Sequence, residues 1–234
     1  MSRILIIIPA YNEAESIEAV ISVVKKELPA ADILVVNDGS KDATSILAKE
    51  IGGVVVVDLP YNMGIGAAMQ TGYRYADLKN YEIAVQVDAD GQHPPDQIKY
   101  LTTPIIEKEA DIVIGSRFLG KGEYNPSLSR NIGIKVFSAV VSMITGQRLT
   151  DTTSGFRAVN KKVIKFFAQY YPEDYPEVEA LVLLRKARFN IMEIPIRMKA
   201  RTAGQSSITP LHAIYYMIKV LLAVFIDILK KVER

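Results

Sequence analysis

The 234-residue chain contains no cysteine, which excludes disulfides, thiolate metal sites and cysteine nucleophiles while leaving the redox compartment open. Net charge is small as well. With 28 basic and 26 acidic residues summing to +2, nothing marks the whole chain as a nucleic-acid binder, so no nucleic-acid partner is expected and any anion site must be local. The opening Met-Ser-Arg-Ile-Leu-Ile-Ile-Ile-Pro lacks the longer apolar region and cleavage site of a signal peptide, and the expected location is cytoplasmic. Neither a fixed-period repeat nor a low-complexity linker divides the chain, so its length fits one large α/β domain with an appendage.

Four apolar runs, at 4–8, 33–36, 54–57 and 83–87, alternate with helix-like segments near 14–27, 41–50 and 65–77. This alternation predicts a mostly parallel, Rossmann-like sheet flanked by helices. Further strands are expected at 111–114 and 191–198, with helices at 95–108, 127–145 and 176–188. The C-terminal stretch 208–229 is apolar enough to approach a membrane span in length, but Lys219 and Asp227 make spanning costly. It reads as an amphipathic helix that lies on a membrane surface or packs on the core or another subunit. The expected division is therefore residues 1–207 and 208–234.

Ligands in α/β sheets gather beyond the carboxyl ends of the strands, and three polar clusters fall there. The first strand ends in Pro9-Ala10-Tyr11-Asn12-Glu13, the second in Asn37-Asp38-Gly39-Ser40, and the fourth in Asp88-Ala89-Asp90-Gly91-Gln92-His93. Asp88, Asp90 and an amide offer hard oxygen ligands suited to Mg²⁺ or Mn²⁺ bridging to a diphosphate, although Asp-Gly and Pro-Pro also punctuate ordinary turns. Tyr11 offers a ring to stack on a base, and Asp38 an acceptor for base or ribose. The glycine-rich turn Asn62 to Gly72 fits close helix packing better than a phosphate cradle, because it follows the third strand and not the first.

Taken together, Ile8 to Glu13, Asn37 to Ser40, Asn62 to Gly72, Asp88 to His93, Gly115-Ser116-Arg117, Asp151 to Arg157 and Arg201 to Ser207 resemble family 2 glycosyltransferases of the GT-A fold. The resemblance covers nearly the whole chain and is to the dolichol-phosphate-mannose-synthase-like, polyprenyl-phosphate branch. It implies an inverting, metal-dependent enzyme that moves a sugar from a UDP-, GDP- or dTDP-sugar to an undecaprenyl or dolichyl phosphate. Pro9, Tyr11, Glu13, Asp38, Asp88, Asp151 and Arg201 are then expected at the nucleotide-sugar, and Asp88, Asp90 and Gln92 at the Mg²⁺ or Mn²⁺ ion. Arg117 and Arg130 would hold the acceptor phosphate, with Lys121 and Lys135 adding charge. Asp90, Arg117 and Arg201 form the expected catalytic set, assisted by Ser206, while His93 would orient a ligand without binding the ion.

A lipid phosphate is already anionic, so this reaction needs no strong general base. A sugar-hydroxyl acceptor would need one, for which Glu173, Asp174, Glu177 and Glu179 stand ready; the same acids also suit the start of a helix. A nucleotide-sugar-binding scaffold without turnover is the alternative from a different class. Longer relatives carry clear membrane helices where this chain has only 208–229, which points to a membrane surface, a separate membrane protein partner or a homo-oligomer, on the inner face of the cell membrane.

Overall fold

The computed structural model describes residues 2–119, 128–173 and 175–198 with Lys219 and Leu222, the side chains of 128–132 excepted. Seven strands form one sheet: β1 (Ile4–Ala10), β2 (Asp32–Asn37), β3 (Val54–Asp58), β4 (Ile83–Gln86), β5 (Ile112–Ser116), β6 (Arg157–Asn160) and β7 (Ile191–Pro195). Their order is β3-β2-β1-β4-β6-β5-β7. Every pairing is parallel except those of β6, which runs antiparallel to β4 and β5. The expected mostly parallel sheet is present, with one strand that the apolar runs did not announce.

Helices α1 (Ile17–Glu27), α2 (Thr44–Glu50), α3 (Ile65–Leu78), α4 (Ile98–Ile106), α5 (Leu128–Thr145), α6 (Lys161–Gln169) and α7 (Pro176–Lys186) flank it. In α1, Ile17, Val20, Ile21 and Val24 recur at helical spacing and are buried, while Glu18 in the first turn and Lys25 and Lys26 in the last suit the helix dipole. One core layer packs α1 and α4 on one sheet face; the other packs α3, α5, α6 and α7 on the opposite face.

Two of the expected boundaries shift and two elements are added. Strand β7 stops at Pro195, short of residue 198, because the proline ends the regular ladder even though Ile196 N–H still reaches Ser116 O at 3.0 Å. The expected helix at 95–108 starts as a 3-10 turn over Pro95–Gln97 before α4. Strand β6 and helix α6 are additions: Asn160 ends one and caps the other, its side chain accepting Val163 N–H at 3.0 Å.

Strand β1 runs on past its last pair with β4, Ile7 opposite Gln86, while still pairing with β2 as far as Ala10 and Asn37. Ile7 O accepts from Val87 N–H and Ala10 O from Asp38 N–H, so Pro9 faces the β4 side, where no ladder partner is left to need its missing N–H. Because the chain winds outward from β1 to β3 and then returns to β4 on β1's other side, this opening is the switch point of the sheet, where α/β folds bind ligands.

Helix α3 enters beside that opening. A Cβ at Gly66 would lie 2.4 Å from Glu173 O and 2.5 Å from Pro172 O, and one at Gly72 would lie 2.5 Å from an Ile7 methyl. Close packing accounts for these glycines. The domain division at 207 and the C-terminal helix lie outside the described residues, except that Lys219 and Leu222 are helical and the Lys219 ammonium sits 5.8 Å from the Tyr175 ring centroid. No described helix is long and apolar enough to cross a membrane.

Gly66→Ala should destabilise the fold by about 1–3 kcal/mol, since overpacking against backbone outweighs a helix-propensity gain of about 1 kcal/mol. Gly52→Ala, with nothing within 4 Å of a new Cβ, should be near neutral. Urea unfolding of the two variants checks the contrast.

Candidate active site

A cavity of about 310 Å³ fills the opening between β1 and β4. It brings together Pro9, Tyr11, Glu13 and Asp38 from the ends of β1 and β2, Gln86, Asp88 and Asp90 from the end of β4, and Glu177 from the first turn of α7. The three sequence clusters therefore do share one site.

At the β1–β2 end, Tyr11 is exposed at the cavity mouth. Asp38 is buried and accepts Met63 N–H at 2.7 Å and Gly64 N–H at 2.9 Å, one on each oxygen. Those amides are therefore aimed at a carboxylate of the protein and not outward at a phosphate. Gly39, at φ +65°, brings this turn so close to the next loop that a Cβ would meet Tyr61 backbone at 2.4 Å. Glu13 ties the wall together, accepting Ser16 Oγ at 2.9 Å while its own N–H donates to Thr44 Oγ1 at 2.8 Å.

At the β4 end the carboxylates are held from behind. Asp88 N–H donates to His93 Nδ1 at 3.0 Å, which leaves the ring proton on Nε2, 3.5 Å from Asp88 Oδ2. Gln86 Nε2 donates to Asp88 Oδ1 at 3.1 Å. His93 is buried and stacks on Phe156 with centroids 4.9 Å apart. Asp90 Oδ1 accepts Gln92 N–H at 3.0 Å, closing the turn. A Cβ on Gly155 would fall 2.7 Å from Gln86 Nε2 and 3.2 Å from Asp88 Oδ1, so only glycine lets the 151–157 segment come this close.

Asp88 and Asp90 line the cavity, whereas Gln92 lies outside its lining. No three His, Asp or Glu side chains gather into a metal cage among the described residues. Two carboxylates on one turn nevertheless fit Mg²⁺ or Mn²⁺, which take few protein ligands and complete their shell with substrate phosphates and water.

Arg117 and Asp151, expected at a phosphate and a sugar, hold each other. Arg117 Nε and Nη2 donate to Asp151 Oδ2 and Oδ1, both at 2.6 Å, and Arg117 N–H adds a third bond at 3.0 Å. Asp151 is wholly buried and Arg117 nearly so. Arg157, also buried, spends its guanidinium on the carbonyls of Ser154, Thr152 and Glu177, which fastens the 151–157 segment to the start of α7. Lys135 is exposed. Lys121, Asp174, Arg201, Ser206 and the Arg130 side chain lie outside the described residues.

Two residues matter more than the sequence suggested. Gln86 is the polar member of an otherwise apolar buried strand, a signal that was readable. Glu177, one of four acids named as possible bases, is in the cavity wall while Glu179 turns back to accept Tyr175 N–H at 3.1 Å. Burial pushes the Glu177 carboxyl above its ordinary 4.5, against the pull of the Arg157 cation.

The folded state therefore keeps the Glu177 proton after the unfolded chain has lost its own. Stability should fall as pH rises from 4.5 toward the raised value, and Glu177→Gln should flatten that slope. Unfolding midpoints of the two proteins measured across this window check the sign.

The profile of glycosyl transferase family 2 matches residues 5–167. The chain is 33% identical over 213 residues to the UDP-N-acetylglucosamine–dolichyl-phosphate N-acetylglucosaminyltransferase of Methanococcus voltae, covering 83% of this chain and 84% of that one. It is 32% identical over 221 residues to the undecaprenyl-phosphate mannosyltransferase of Micrococcus luteus, covering 88% of each. Among solved structures, glucosyl-3-phosphoglycerate synthase of Mycobacterium tuberculosis, in complex with Mn²⁺, UDP and glucosyl-3-phosphoglycerate, shares the fold. Its TM-score is 0.74 at 20% identity, over 97% of this chain and 80% of that one. The chain belongs to glycosyl transferase family 2, with the GT-A fold and the activity class of a nucleotide-sugar-dependent glycosyltransferase.

Proposed function

We propose that the chain transfers a sugar from a UDP-, GDP- or dTDP-sugar to a polyprenyl phosphate, undecaprenyl or dolichyl, with inversion at the anomeric carbon. The observation that carries this is the placement of Asp88 and Asp90 beside the nucleotide-side residues in one cavity, in a chain whose relatives are named for transfer to such lipids. An acceptor phosphate oxygen attacks the anomeric carbon in line, the bond from that carbon to the diphosphate breaks, and the nucleoside diphosphate leaves with the electron pair. The acceptor is anionic already, so catalysis rests on positioning and on charge stabilisation.

In this reading Tyr11 stacks on the base, and Pro9, Glu13 and Asp38 wall the nucleotide end. Asp88 and Asp90 hold Mg²⁺ or Mn²⁺, with Gln92 as a further ligand; the ion, when bound, neutralises charge on the leaving diphosphate. Gln86 and His93 keep Asp88 in place. Arg201, with Ser206, closes over the diphosphate, Arg117 and Arg130 form the acceptor side, and Asp151, on the sugar side, holds Arg117. A lipid acceptor puts the reaction at the inner face of the cell membrane, reached through the apolar 208–229 stretch, a membrane protein partner or a homo-oligomer.

Glu177 favours a second reading, in which the acceptor is a sugar hydroxyl and this carboxyl takes its proton. The two differ in what they require. With Mg²⁺ or Mn²⁺ and a panel of nucleotide sugars, nucleoside diphosphate release should appear with a short polyprenyl phosphate and not with the matching free alcohol. Release with hydroxyl acceptors, lost in Glu177→Gln, would replace the first reading by the second. Asp90→Ala should lower metal-dependent release by about 100-fold or more, given the share of catalysis that such charge clamps supply.

A further inference from the structure

We infer that Glu193 is a positioning residue for the acceptor side of the site, acting through the Thr150–Asp151 turn on the Asp151–Arg117 pair; the inference rests on the acceptor reading proposed above. Glu193 is the only charged residue of β7 and stands opposite Ile114 of β5 in the ladder. Its Oε2 accepts Thr150 N–H at 2.7 Å and Thr150 Oγ1 at 3.0 Å, and its Oε1 accepts Asp151 N–H at 2.8 Å. Two successive amides on one carboxylate fix the orientation of the peptide between them, and charge-assisted bonds of this kind are the stronger sort. That peptide carries the Asp151 side chain toward Arg117.

The same network grips Arg117 from its other neighbours. Thr150 Oγ1 lies 2.7 Å from Ser116 Oγ, which accepts Phe118 N–H and Leu119 N–H at 3.2 Å each. Residues on both sides of Arg117 are thus referred to a single carboxylate on the edge strand. Glu193 does not line the donor cavity. It faces a separate cavity of about 540 Å³ with Phe118, Leu119 and Arg148, so any influence it has on transfer must pass through the residues it holds. Oε1 also lies 3.0 Å from Thr150 N–H, so a glutamine carbonyl in its place still serves both amides. The glutamine NH2, however, would point a donor at the Thr150 amide and hydroxyl that Oε2 now accepts, and the charge that strengthens these bonds is lost.

The test is a double-mutant cycle of Glu193→Gln and Arg117→Lys, reading kcat and KM for a polyprenyl phosphate, nucleotide-sugar Kd and Tm. Glu193→Gln should lower kcat/KM for the acceptor by about 10- to 100-fold, the scale expected of a misplaced reacting group, while donor Kd changes by less than about twofold. In the double variant the loss should stay near that of Arg117→Lys alone, because the two act as one unit. Multiplying losses, or a Tm drop with acceptor kinetics intact, overturns the inference. An acceptor defect in Arg117→Lys beside a silent Glu193→Gln also overturns it and leaves the acceptor reading standing, whereas no acceptor defect in Arg117→Lys removes that reading itself. If Glu193→Gln does not fold, Thr150→Val deletes only the hydroxyl link and should give the same pattern with a smaller loss.

Discussion

The site exists because the ladder between β1 and β4 stops at Ile7 and Gln86 while β1 continues beside β2. A parallel sheet leaves polar chain ends on one edge, and the change of winding direction at β1 keeps helices from covering the gap. Pro9 belongs in this gap, since a residue without an N–H faces the one side of a central strand that has no partner. From that single opening follow the cavity, its depth and the convergence of residues that lie far apart in the chain.

Bringing Asp38, Asp88, Asp90 and Glu177 around one cavity carries an electrostatic cost that the fold meets separately for each. Asp38 has two backbone amides, Asp88 has Gln86 and His93, and Asp90 has the amide of Gln92. Glu177 instead retains its proton to higher pH, with the Arg157 cation opposing that shift. Like groups are thus treated differently: Asp38 organises a loop, Asp88 and Asp90 are steadied on one turn at the cavity, and Glu177 holds its proton longer.

A buried ion pair joins the end of β5 to the 151–157 segment. A guanidinium and a carboxylate removed from water are tolerable only when their hydrogen bonds are met, and the Arg117–Asp151 pair meets them with a bidentate contact, a backbone amide and Thr153 Oγ1 at 2.8 Å from Arg117 Nη2. Losing one member would strand the other, so such a pair sets geometry more than it adds net stability. Glu193 accepts the Asp151 amide and so links the edge strand β7 to this pair.

Much of the fold was legible in sequence because buried strands and amphipathic helices leave periodic apolar patterns. The exceptions were β6, four residues beginning with an arginine, and α6, nine residues that follow it directly, with Asn160 both ending the strand and capping the helix. Sequence alone determined which residue types stood at the strand ends, and hence that carboxylates, a tyrosine and glycine turns would meet at one edge. Only the tertiary structure decided how those groups are spent: that Asp38 faces amides, that Arg117 and Asp151 hold each other, and that Glu177 and not Glu179 enters the cavity. These depend on contacts between residues tens of positions apart, where side-chain direction and desolvation are set by neighbours that no local spacing names.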